Sequence, residues 1–218
     1  MNARRQTFEL TLEGRQVPEA VSSLFSTVLL HRTLGRFHYK KEDSYSIGTI
    51  GYEDVDCDFI DFTYVRCSSP ELNDVVQRHV TSFTDTLQNL DGQRMGHISL
   101  TFFQTRKARW PFPRESTPWE VWTVQVEAVS LQTEHERQVL REKLVDELTE
   151  KVFLVAAAMN RPDFVPKMPS QSELDYVFDT SFSDVQPYLF EISHETVGSK
   201  NVSVSSTVRK LLKDTLSI

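Results

Sequence analysis

Apolar and polar residues alternate first near the N-terminus. Phe8, Leu10 and Leu12 are separated by single polar positions, which predicts a strand over residues 7–12 with one buried face. Gly14 breaks that period and a helical one replaces it. Val17, Ala20, Val21, Leu24, Phe25 and Val28 recur at three and four residues, predicting a helix over 17–34. Pro18 falls in its first turn, where a missing N–H costs nothing, and Gly35 is the expected stop. Residues 36–67 return to the β period. Residues 37–39 lead into a charged turn at 40–43, residues 45–51 form a second strand with Gly48 and Gly51 as weak points, and residues 55–67 form a third. Within that third strand the apolar phase shifts from Val55, Cys57 and Phe59 to Ile60, Phe62 and Tyr64, as a β-bulge would require.

Ser69 is a candidate N-cap for a second helix, to about residue 90, with Leu72, Val75, Val76, Val80, Phe83 and Leu87 as its stripe. Alternation then predicts a strand through Ile98, Leu100 and Phe102 and another over 119–129, where Trp122, Val124 and Val126 share a face. The longest helix spans 133–160 and opens on the capping box Thr133-x-x-Glu136. Val139, Leu140, Leu144, Leu148, Val152, Phe153, Ala156 and Met159 supply its stripe, and the part after Lys151 is expected to be central to the core. Beyond Pro162, Pro166 and Pro169, residues 174–178 and 188–196 read as strands, and 202–218 as a weak strand followed by a helix. The order β-α-β-β-β-α-β-β-α-β-β-(α) is that of an α+β domain, with three helices against a mainly antiparallel sheet.

Length and charge narrow the partners. A chain of 218 residues is one large domain, or one domain with an appendage. Its net charge of −7 argues against nucleic acid, which wants a basic face. The longest uncharged apolar run, residues 152–159, falls short of the roughly 18 residues of a membrane span. The N-terminal alternation lacks a signal-peptide core. On one extended strand Cys57 and Cys67 would stand about 33 Å apart, beyond disulfide reach. Free thiols and no secretion signal point to the cytosol.

Little in the sequence suggests catalysis or a cofactor. Asp56, Asp58 and Asp61 lie close together, but without the glycine turn of a calcium loop they read as a solvated strand face. The six histidines have no His-x-x-x-His spacing. There is no Gly-x-Ser-x-Gly elbow, no P-loop, and seven glycines in all. His31, closing the first helix, reads as a cation on the helix dipole or as a polar contact to another chain. One segment departs from the acidic average. Arg106-Lys107-Ala108-Arg109-Trp110-Pro111-Phe112-Pro113-Arg114 is basic, and its prolines forbid a helix or a central strand. Pro111 holds the backbone extended, so Trp110 and Phe112 project to one side. This loop is either a binding finger built from anchor residues or a tryptophan folded back on its own domain.

Several stretches resemble the autophagy-related protein 101 family: residues 28–32, 37–41, 45–49, 55–66, Arg109-Trp110-Pro111-Phe112, 118–124, 166–169 and 184–189. The resemblance spans nearly the whole chain, with 68–96 and 195–207 less similar. It implies a single HORMA domain over residues 1–218, with a finger loop at about 104–118 and a belt-like C-terminal segment at about 198–218. It implies a non-enzymatic scaffold without cofactor or metal, in the autophagy-initiation complex of the Unc-51-like kinase. The partner would be the HORMA domain of autophagy-related protein 13, held as a heterodimer. Arg109, Trp110, Pro111 and Phe112 would recruit downstream factors. Val208, Leu211, Leu212 and Leu216 would touch the phosphatidylinositol 3-kinase complex. Leu30, His31, Arg32, Val55 and Asp56 are the expected partner face. Membrane association would come only through partners, and the protein would be cytoplasmic, gathering at the phagophore assembly site when autophagy is induced. The competing reading is a checkpoint-type HORMA adaptor that closes residues 170–218 around a partner peptide.

Overall fold

β1 (Arg4–Glu13) is the strand expected from the first alternation, and it buries Phe8, Leu10 and Leu12. The structure, a computed structural model, describes residues 3–41, 44–90, 94–106, 115–161 and 164–196. β1 pairs in parallel with β8 (Ser116–Val129). β8 is antiparallel to β7 (Arg94–Thr105), and β7 to β10 (Phe190–Thr196), so the sheet order is β1-β8-β7-β10. Three helices cover one face of this sheet: α1 (Val17–His31), α2 (Pro70–Gln88) and α3 (Glu134–Met159). α1 packs on both other helices, α2 lies on β7 and β10, and α3 lies on β1. The architecture is therefore α+β with a mainly antiparallel sheet. Gly96 is what lets α2 close on the sheet: a Cβ there would stand 2.9 Å from the Phe83 ring and from the Glu195 carbonyl.

The uncovered face is polar. Register places Arg5, Val121, Thr101 and Glu191 in one row across the four strands. Thr7, Thr123, Ser99 and Ser193 form the next, and Glu9, Gln125, His97 and Glu195 the third. The Ser99 and Thr123 hydroxyls share a hydrogen bond of 2.8 Å in the middle of it. A sheet with one apolar and one hydrophilic face needs helices on one side only.

Several boundaries differ from the sequence reading. α1 ends at His31 rather than near residue 34, because Thr33–Gly35 forms a short strand, β2, against β9 (Val185–Pro187). Gly35 is thus no helix stop. It sits where any Cβ would collide with the backbone of Gly48. The long bulged strand over 55–67 is a hairpin of β5 (Tyr52–Asp56) and β6 (Thr63–Cys67). The change of apolar phase marks a turn, closed by the Cys57 N–H donating to the Phe62 carbonyl at 3.0 Å. A turn and a bulge both shift a period-two pattern, so alternation alone does not separate them. The 33 Å separation of the cysteines falls with that strand, since Tyr52 lies opposite Cys67. Both thiols are free all the same. A bulge does lie between β7 and β8. There Glu120 opposes Phe102 and Pro118 opposes Phe103, leaving Trp119 as the extra residue.

β3 (Phe37–Lys41) and β4 (Ser44–Ile47) form a second outer hairpin. Residues 174–178 are not a strand. A 3₁₀ helix covers Gln171–Tyr176, and Phe178 makes an isolated bridge to Tyr188. α3 has the expected capping box, with the Thr133 Oγ1 accepting from the Glu136 N–H and the Glu136 carboxylate accepting from the Thr133 N–H. Its second half is less central than its composition suggests. After Lys151, Val155 and Ala158 are buried, but Leu154 is exposed and Phe153 is 71% exposed; before it, Leu144 and Leu148 are buried and Val139 is exposed. The helix rests on β1, the last strand on that side of the sheet, so only a narrow stripe finds cover. Among the described residues, no helix is long and apolar enough to cross a membrane.

Candidate functional site

The C-terminal end of α1 and the start of β8 meet in a buried ion pair. The Arg32 Nε donates to one Glu120 carboxylate oxygen at 2.6 Å and Nη2 to the other at 3.1 Å. Arg32 is 4% exposed and Glu120 1%. Alternation puts Glu120 inside, in phase with Trp122, Val124 and Val126, and the bulge explains how Trp119 joins it. With Trp119 as the extra residue, both side chains turn inward, where regular alternation would send one out. Aromatic rings complete the surroundings. The guanidinium lies 5.5 Å from the Trp119 ring and 5.9 Å from Phe164, and Phe164 also meets Arg4 at 4.8 Å. Trp119 meets Tyr188 edge-on at 5.3 Å, and Tyr188 lies tilted against Phe178 at 4.5 Å. Backbone bonds add to this: the Arg32 carbonyl accepts from the Tyr188 N–H, and the Ala158 carbonyl at the end of α3 accepts from Arg4.

This cluster forms the root of the loop between β7 and β8. The Arg106 N–H donates to the Glu115 carbonyl at 3.1 Å, which closes the loop's base. The finger residues Arg109, Trp110, Pro111 and Phe112 lie outside the described residues, as do Val208, Leu211, Leu212 and Leu216. What the structure describes next to the finger residues is the paired ends of β7 and β8, with Trp119 and Glu120 buried.

The five residues of the expected partner face separate. Arg32 is a correction: its guanidinium is spent on Glu120 inside the chain and offers nothing to a partner. Leu30 is half-buried against the core, while His31 is exposed at the end of α1. The protein around the His31 ring, and then the neighbouring Arg32 charge, lower its pKa. Val55 stands opposite the buried Tyr64 on the inner face of the hairpin, and Asp56 faces out, accepting from the Thr63 hydroxyl at 2.7 Å. β6 is the strand that packs on α1, and β5 lies outside it. Among the described residues no hydrogen bond, ion pair or ring contact joins Val55 or Asp56 to Leu30 or His31. Of the five, His31 and Asp56 are therefore the outward-facing pair. The hairpin turn is anchored by Glu19, whose carboxylate accepts from the N–H groups of Asp58 and Phe59 at 2.7 and 3.0 Å.

Catalytic features are sparse. Burial, followed by nearby carboxylates, pushes the Cys57 thiol up to about 12, and burial pushes Cys67 up to about 11. Neither is a poised nucleophile. Asp56 sits on β5, while Asp58 and Asp61 belong to the turn. Among the described residues no three His, Cys, Asp or Glu side chains converge on a metal-sized point. The Arg32–Glu120 pair escaped the sequence reading. Its partners are 88 positions apart, and the one local sign was a glutamate in phase with Trp122, Val124 and Val126 on the apolar face of its strand.

Comparison with known proteins completes the description. The family model described as autophagy-related protein 101 matches residues 9–172. The curated autophagy-related protein 101 of Homo sapiens is 54% identical over 218 residues, covering all of both chains. That of Xenopus tropicalis is 53% identical over the same span, and that of Arabidopsis thaliana is 22% identical over 121 residues, half of its own length.

Proposed function

The chain belongs to the autophagy-related protein 101 family, and from that premise we propose that it is a non-enzymatic scaffold of autophagosome formation. In this reading residues 1–218 form one HORMA domain that pairs with the HORMA domain of autophagy-related protein 13 in the Unc-51-like kinase complex. The finger recruits downstream factors, and Val208, Leu211, Leu212 and Leu216 meet the phosphatidylinositol 3-kinase complex. The protein works in the cytoplasm and gathers at the phagophore assembly site. The observation that carries this is identity of 53–54% maintained along all 218 residues of vertebrate relatives that bear this family's name.

The geometry supports work by association. The outer hairpins expose Tyr45, Ile47, Tyr52 and Phe59, apolar side chains of the kind that mark partner surfaces. Asp56 adds a polar group there, and His31 another at the end of α1. Trp110 and Phe112 have few rotatable bonds, so ordering them on a partner costs little entropy. The test is co-expression with the HORMA domain of the same organism's autophagy-related protein 13, followed by size-exclusion chromatography with light scattering. A 1:1 complex is expected, and Trp110→Ala with Phe112→Ala should leave it intact while abolishing capture of downstream factors. A monomer that never pairs refutes the scaffold reading. A double variant that loses thermal stability refutes the exposed finger.

A further inference from the structure

The uncovered face of the four-stranded sheet ends in a concavity of about 480 Å³, walled by Glu9, Thr11, Met95, His97, Glu127 and Thr196 among others. Register explains the gathering: Glu9 and Glu195 end the row that crosses Gln125 and His97, and Glu127 lies one row further along, opposite Thr11 and Met95. Among the described residues neither lysine nor arginine lines it. Among the described residues the Glu195 carboxylate has one charged neighbour, the His97 ring at 3.9 Å.

The chain itself continues from the wall of this concavity. Beyond Thr196 come residues 197–218, with Lys200, Arg209, Lys210 and Lys213 against the single acidic side chain Asp214, a basic run in a protein of net charge −7. We propose that this C-terminal segment folds back over the open face of the sheet and seats its cations against Glu9, Glu127 and Glu195. Reach favours it. Lys200 follows Thr196 by four residues, roughly 13 Å of extended chain. The face from β10 to β1 is three interstrand spacings wide, about 14 Å. Each exposed pair is weak alone. Tethering raises the local concentration of the basic segment to the order of millimolar, so a few weak pairs acting together suffice. Such a contact is salt-sensitive because its charges face solvent. A seated segment also withholds the same residues from any other partner. This inference rests on charge, connectivity and register, and stands apart from the family reading.

The full-length protein tests it directly. Zero-length carbodiimide coupling of the monomer, followed by mass spectrometry, should join Lys200, Lys210 or Lys213 to Glu9, Glu127 or Glu195, and the links should vanish at about 0.5 M salt. Trypsin should cut after Lys200, Arg209, Lys210 and Lys213 several-fold faster when Glu9→Gln, Glu127→Gln and Glu195→Gln are combined. Links found only between two molecules would seat the segment of a second copy there and overturn the proposal. So would cutting rates that the triple substitution leaves unchanged, which would place the segment elsewhere, for example over Phe153 and Leu154 on α3.

Discussion

The cluster around Arg32 and the two outer hairpins spend similar residues in opposite ways. Around Arg32, four aromatic rings and a bidentate ion pair are enclosed by α1, β8, β9 and the end of α3. In the hairpins, Tyr45 is 37% and Tyr52 74% exposed, although both belong to regular strands. The difference lies in layers. The cluster sits between a four-stranded sheet and a helix layer, so a ring there meets neighbours on every side. A two-stranded ribbon has one packed face at most and leaves the other to solvent or to a partner. Aromatic content therefore does not mark the core in this chain; the number of layers around it does.

Breaking the ion pair is the sharpest way to test that contrast. Glu120→Ala strands the Arg32 charge at 4% exposure, and an uncompensated buried charge costs about 3–5 kcal/mol. Denaturant unfolding should show a loss of that size. The combined change Arg32→Met with Glu120→Leu should recover most of it, since apolar replacement of a whole buried pair is often neutral. If Glu120→Ala costs under about 1 kcal/mol, the cluster is no more enclosed than the ribbons. Phe164→Ala comes next. It removes the ring between Arg4 and Arg32, half-buried and in contact with both cations, and should cost about 2 kcal/mol. A double-mutant cycle with Arg4→Met would show coupling between the two. Additivity would mean that Phe164 acts by bulk alone.

The seam between α2 and β10 gives an intermediate case, because it buries groups that titrate. Burial first, and then positive neighbours, lowers the pKa of His79 and of His194. His194 stands 5.7 Å from the Phe83 ring. The unfolded histidines titrate near their ordinary value of about 6.5. As pH falls through that value the unfolded state takes up protons before the folded one does, so stability drops. Melting temperature should be flat above about pH 7 and decline below about 6.5, with a shallower decline in His194→Gln. A melting temperature that holds or rises from pH 7 to 5.5 would contradict the seam's burial of neutral histidine.

How much of this was legible beforehand follows the same contrast. The strands and helices that bound the core were readable because burial on one face imposes a period: β1, α2, β8 and the capping box of α3 sit close to where alternation, stripe and cap put them. The hairpin β5–β6 was misread as one bulged strand, since its turn shifts the apolar phase as a bulge does. Phe153 was misplaced in the core because helical spacing tells which residues share a face, not whether that face is covered. In the Arg32–Glu120 pair, alternation with Trp122, Val124 and Val126 places Glu120 on the inner face, but no local pattern carries its partner 88 positions away or the bulge that turns Trp119 in beside it. Of the five residues of the expected partner face, His31 and Asp56 are exposed, Leu30 and Val55 are half-buried and Arg32 is buried, a division that residue type alone does not show.

The smallest effect on stability is the one that best tests the meaning of the ribbons. Tyr52 is 74% exposed at the start of β5, so Tyr52→Ser removes little packing, and its unfolding free energy should stay within about 0.5 kcal/mol of the unchanged chain. If the ribbons are a partner surface, the same substitution should weaken heterodimer formation about tenfold or more, as loss of a large aromatic anchor does. A weaker heterodimer with unchanged stability would separate the two regions cleanly, since one holds the fold and the other is held in reserve for association. An equal loss in both measurements would mean that Tyr52 packs in solution and that the ribbons belong to the core.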